Sequence, residues 1–128
     1  MAATYTVVER SNPRDREAPK KFYAQAKSSG ELTFKKLATE IAEGSTTVSD
    51  TDVLAVLNDL TKLLNRHLSE GKIVRFGDFG SFRLSLSSEG AETKEKFHPA
   101  LIKKAKINFR PGASTQNMLK TLKYTKIS

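Results

Sequence analysis

The sequence has no cysteine and no tryptophan, and only two histidines in 128 residues. Without cysteine, disulfides, thiol nucleophiles and cysteine-ligated zinc are excluded. His67 and His98 cannot form a metal site by themselves, so neither a metal nor another cofactor is expected. No apolar run approaches the ~20 residues that cross a bilayer, and the opening MAATYTVV lacks the long apolar stretch of a leader. The chain therefore reads as soluble, cytoplasmic and without a membrane partner. Seven glycines, four prolines and 38% apolar residues, with no long polar low-complexity run, are compatible with a folded core. The length fits one domain with an appendage better than two. Ser, Thr, Asp and Glu sit mostly at caps and turns, with no acid/base constellation around either histidine, so neither an enzyme nor a small-molecule substrate is expected.

What the chain does have is positive charge, with 22 Lys+Arg against 14 Asp+Glu. The excess is uneven. Residues 31–82 carry 6 basic and 8 acidic side chains, whereas residues 83–110 carry 7 and 3. Within the second stretch, Glu89, Glu92 and Glu95 all precede Lys96, Lys103, Lys104, Lys106 and Arg110, which follow with no acid among them. Such a strip is either a phosphate-binding surface or a solubilising face.

Periodicity supplies the elements. TYTVVER alternates as a strand does, and Asn12-Pro13 with RDRE forms a turn or loop. KKFYAQAK fits a strand through Phe22, Ala24 and Ala26, although Phe22 and Ala26 also fit helical spacing. From Thr33, Phe34, Leu37, Ala38, Ile41 and Ala42 trace a short amphipathic helix that Gly44 ends. Ser49 caps a second helix running to about Glu70, with Asp50 and Asp52 in its first turn. Its stripe of Val53, Leu54, Val56, Leu57, Leu60, Leu63, Leu64 and Leu68 is too wide for one short partner helix, and the surplus apolar surface points to a dimer. Lys72 to Ser87 is strand-like but broken at Gly77-Asp78-Phe79-Gly80. Phe82, Leu84 and Leu86 then alternate with Arg83, Ser85 and Ser87. A further strand ends at Phe109 with Lys104, Lys106, Asn108 and Arg110 on one face. A hairpin folded midway between Phe82 and Phe109 would reach roughly 43 Å, with a mobile tip. Beyond Pro111-Gly112, Ser114 is placed to cap a last short helix, and the tail KYTKIS is either frayed or a short edge strand.

The order of two helices, GDFGSF, a basic hairpin, FRPG and a final helix resembles the bacterial histone-like HU and integration host factor family over about residues 31–124. GDFGSF is close to the family's GFGxF turn, and FRPG is close to its F-K/R-P-G. The structural signature is Gly77, Phe79, Gly80, Phe82, Phe109, Pro111 and Gly112, with the phenylalanines filling a core. Asp78-Phe79-Gly80 also spells a kinase metal-binding triplet, but no glycine-rich phosphate loop or HRD-like loop accompanies it. The resemblance implies an α+β fold: an intertwined dimer with two N-terminal helices, an antiparallel sheet extended into a β-hairpin arm at about 83–110, and a short C-terminal helix. It divides the chain into an extension, 1–30, and a HU-like domain, 31–128.

The function so implied is architectural, sequence-tolerant binding of double-stranded DNA, with arms in the minor groove that bend or condense it, in a nucleoid-associated homodimer or heterodimer. The residues expected to touch DNA are Arg83, Lys94, Lys96, Phe97, Pro99, Lys103, Lys104, Lys106 and Arg110. Lysines and arginines on a ribbon contact phosphates without reading bases, and Phe97 or Pro99 stands nearest the place of the family's inserting proline. Two departures favour an alternative, a HU-like scaffold used for protein interaction. The tip SEGAETKEKFHPALI lacks the family's Asn-Pro, and the outgoing strand RLSLSSEGAE carries Arg83 alone before its acids. In the extension, Arg10, Arg14, Arg16, Lys20 and Lys21 offer further phosphate contacts, while Tyr5, Val7, Val8, Phe22 and Tyr23 offer packing on the body or a partner.

Overall fold

The computed structural model describes residues 2–45 and 47–127. In chain order the elements are β1 (Ala3–Arg10), β2 (Lys21–Ala26), α1 (Phe34–Ser45), α2 (Asp50–Ser69), β3 (Val74–Phe76), β4 (Gly80–Ser88), β5 (Ile102–Pro111), α3 (Ala113–Lys120) and β6 (Tyr124–Lys126). The fold is mixed α+β. Contacts divide it into two units, residues 34–117 and residues 1–33 with 118–128.

The second of these is built on a three-stranded sheet ordered β2-β1-β6. KKFYAQAK resolves as a strand because the antiparallel register sets Ala26 against Tyr5, Ala24 against Val7 and Phe22 against Glu9, which puts its apolar side chains on one face with Tyr5 and Val7. The tail resolves as an edge strand: β6 pairs in parallel with β1, from Ala3 opposite Tyr124 to Tyr5 opposite Lys126.

In the unit 34–117, α1 runs through Gly44 to Ser45, past the expected stop. The N-terminus of α2 is as expected: Ser49 Oγ accepts the Asp52 amide at 3.1 Å, and Asp50 and Asp52 face the positive end of the helix dipole while Arg66 and His67 lie in the last turn. Its 20 residues make a rod of about 30 Å. The buried apolar side chains among the described residues are Ala38, Val53 and Leu68, and on α2 Val56 is 65% and Leu63 44% exposed. Leu54, Leu57, Leu60 and Leu64 are half-buried, so the stripe is only partly covered within one chain.

Strands β3, β4 and β5 form an antiparallel sheet in that order. The β4–β5 ladder runs from Gly80 opposite Pro111 to Ser88 opposite Ile102, about 26 Å of ribbon. It is shorter than a hairpin folded at its midpoint. The intervening residues close on themselves instead, with the Glu89 amide donating to Leu101 O at 2.9 Å, the Phe97 amide to Lys94 O at 3.2 Å and the Leu101 amide to His98 O at 3.0 Å.

Candidate nucleic-acid interface

Two sequence fragments separated by about thirty residues meet at the base of the β4–β5 ribbon. The Gly112 amide donates to Phe79 O at 2.8 Å, the Ser114 amide to Asp78 O at 3.1 Å, and Thr115 Oγ1 to Phe79 O at 2.7 Å. Ser114 Oγ also donates to Asp78 O, at 2.9 Å; Ser114 lies inside α3 and ties it to the turn, where the sequence placed it as the cap. The Phe79 and Phe82 rings lie 5.2 and 5.0 Å from Phe109, and Phe76 packs edge-on against Phe82. A side chain at Gly80 would put its Cβ 2.5 Å from both Arg110 O and the Phe109 ring, and one at Gly112 would overlap the Asp78 carbonyl. These glycines are required by close approach of backbone to backbone.

That junction sets the register of the ribbon, and the register sorts its side chains. Opposite residues share a face, so the pairs Ser81 with Arg110, Arg83 with Asn108, Ser85 with Lys106 and Ser87 with Lys104 form one row. Phe82, Leu84 and Leu86 with Phe109, Ile107 and Ala105 form the other. The first face is cationic and holds no acid in these rows. Strand β3 extends it, because Arg75 stands opposite Ser81. Arg75 is absent from the sequence-based site; the signal for it was the GDFG turn, which fixes β3 against β4 and so aligns Arg75 with Arg110. Arg83 is half-buried, and its Nε has no hydrogen-bond partner among the described residues.

The cations nearer the tip are placed differently. A register shift between Ser87 and Ser88 leaves Lys103 outside the paired rows; such an irregularity re-aims a side chain, and Lys103 Nζ lies 3.2 Å from Glu89 Oε1. Lys96 Nζ lies 3.2 Å from Glu92 Oε2. Lys94 and Phe97 sit in the loop between the strands, Phe97 41% exposed. Pro99 opens a short 3-10 turn at Pro99–Leu101, entered from an extended His98. The other histidine, His67, lies on α2 with Lys72 Nζ 3.4 Å from its Nδ1. No cluster of three His, Cys, Asp or Glu that could hold a metal exists among the described residues, and among them no helix is long and apolar enough to cross a membrane.

The family model described as a HU domain fused to wHTH, Ig, or glycine-rich motif matches residues 1–126. No curated protein matches the sequence. Among solved structures, a candidate bacterial DNA-binding protein from Bacteroides vulgatus ATCC 8482 is similar over 98% of this chain and 48% of its own, with 9% identity and a TM-score of 0.66. This chain therefore spans about half the length of that protein. A cocrystal structure of Anabaena HU with DNA is similar over 70% of this chain and 98% of its own, with 16% identity and a TM-score of 0.49.

Proposed function

The chain belongs to the HU-HIG family of HU-domain proteins, and from that premise we propose that it binds double-stranded DNA through the cationic face of the β4–β5 ribbon. The observation that carries this reading is the alignment of Arg83, Lys104, Lys106 and Arg110, with Arg75 beside them, on one sheet face whose intervening residues are serines and Asn108. Cations on a ribbon neutralise phosphates and read no base edges, so binding is tolerant of sequence and weakens steeply with salt. The ribbon enters the minor groove, and the exposed Phe97, next to His98-Pro99, supplies the apolar side chain that parts a base step and bends the duplex.

The binding species is a dimer. Support comes from the apolar face left open in the unit 34–117: Val56 and Leu63 on α2, and Phe79, Leu86, Ile107 and Phe109 around the ribbon, are all exposed. With Ala38, Val53 and Leu68 the buried apolar side chains among the described residues, a single chain has little core of its own. The activity is binding, bending and compaction without turnover, as in a nucleoid-associated protein.

A second reading, a HU-like scaffold for protein partners, is favoured by Glu89 and Glu92, which occupy Lys103 and Lys96 and leave fewer free cations near the tip. Changing Lys104, Lys106 and Arg110 together to Glu separates the two. Under the DNA reading, duplex binding in an anisotropy titration is abolished while the dimer persists in light scattering. Duplex affinity equal to that of the unaltered protein would overturn the assignment to this face.

A further inference from the structure

The β1–β2 hairpin carries a second cationic site of different character. Arg10 and Lys21 stand directly opposite each other in the antiparallel register. Like charges so placed are mutually destabilising, and neither forms an ion pair with any described acid. Of the hairpin's acids, Glu9 stands opposite Phe22 on the other face of the sheet, Asp15 Oδ1 accepts the Glu17 amide at 3.1 Å, and the described ion pairs include neither these nor Glu17. Tyr23, two residues beyond Lys21, shares its face and is 49% exposed. The connecting loop is held by its own hydrogen bonds, with Asn12 Oδ1 accepting the Arg14 amide at 2.9 Å and the Ala18 amide donating to Asp15 O at 3.2 Å. These residues bound an open cavity of about 780 Å³ lined by Arg10, Asn12, Pro13, Pro19, Lys21 and Tyr23 among others, within the range of small-ligand sites.

We propose that this cavity holds one nucleotide unit of single-stranded DNA, its phosphate between Arg10 and Lys21 and its base stacked on the Tyr23 ring. Residues two apart on a strand are separated by about 6.6 Å, a span that lets one nucleotide touch both the cation pair and the ring. The phosphate relieves the repulsion between the two cations. Stacking on an exposed tyrosine needs a free base face, which a duplex keeps inside its own stack and a single strand presents. The two prolines and the Asx turn keep the pocket open before the ligand arrives, so little ordering cost is added on binding. This site belongs to the unit of residues 1–33 with 118–128 and the ribbon to the unit 34–117, and the proposal does not depend on the duplex reading.

The sequence has no tryptophan, so Tyr23→Trp in the full chain introduces a single indole at the site. Titration with an octathymidylate strand is expected to quench that indole saturably, and thymidine monophosphate to compete only weakly. In parallel anisotropy titrations of the labelled strand, Arg10→Gln with Lys21→Gln weakens binding about tenfold, in keeping with the loss of phosphate contacts. Lys104, Lys106 and Arg110 changed to Glu leave the quenching in place. The exposed Lys21→Gln change alone, read by anisotropy, serves if the indole variant fails to fold. No binding of the strand, binding without quenching, or quenching lost only with the ribbon variant would each overturn the proposal. Quenching by the monophosphate as strong as by the strand would overturn the assignment to a DNA chain.

Discussion

At the scale of single residues, the positively charged side chains of the ribbon fall into two groups that composition cannot distinguish. Lys104, Lys106 and Arg110 project from the paired rows, whereas Lys103 and Lys96 each face a carboxylate at 3.2 Å. These exposed pairs add little stability, but each carboxylate offsets the positive charge its lysine would bring to a phosphate. Lys106→Ala is therefore expected to weaken duplex binding and to flatten the plot of log K against log salt by about 0.9 for each copy of Lys106 that engages a phosphate, about 1.8 in a dimer, while Lys103→Ala changes both less. Equal effects from the two variants would contradict the placement. Gly80 is the other residue on which the ribbon depends. Gly80→Ala drives a methyl group against Arg110 O and the Phe109 ring and is expected to cost about 1–3 kcal/mol by overpacking, read as a lowered urea midpoint at fixed protein concentration. An unchanged midpoint would show that β4 and β5 do not approach as closely as described.

At the scale of elements, the sequence is most legible where local chemistry decides. Ser49 with Asp50 and Asp52 announces α2, and removing the cap by Ser49→Ala is expected to lower stability by about 1 kcal/mol, measured by thermal unfolding; no change would mean that the Asp52 amide finds another acceptor. The alternation of Phe82, Leu84 and Leu86, and of Ala105, Ile107 and Phe109, likewise announces β4 and β5, and GDFGSF with FRPG announces the junction that aligns them. What was not legible depends on distant partners. Tyr124–Lys126 is too short to carry a pattern of its own, and becomes a strand only because Ala3–Tyr5 offers an open edge. Gly44 stays helical although glycine costs about 1 kcal/mol there relative to alanine. The ribbon ends at Ser88 because the loop satisfies its own amides through Lys94 O, His98 O and Leu101 O, contacts that spacing alone does not disclose. Lys103, which strand alternation already sets off the Lys104 row, is left unpaired by a register shift and meets Glu89, a contact that spacing alone does not disclose.

At the scale of the whole molecule, the unit 34–117 presents a 20-residue helix with a broad apolar stripe, and three apolar side chains of the described chain are buried. That imbalance is what a second copy would correct. Leu63→Asp, placed on the exposed part of the stripe, is expected to convert a dimer into a destabilised monomer in light scattering; a persistent dimer would move the interface elsewhere. Loss of the dimer would also halve the number of phosphates engaged at once, so association and DNA affinity are linked. The most direct test of the central claim, that the ribbon face is an electrostatic binding surface for duplex DNA, is a fluorescence-anisotropy titration of a random-sequence duplex across a range of salt concentrations, with light scattering in the same buffers. The expected result is a dimer whose affinity falls steeply as salt rises. A stable dimer that leaves the duplex unbound even at low salt would contradict the claim and turn attention to protein partners.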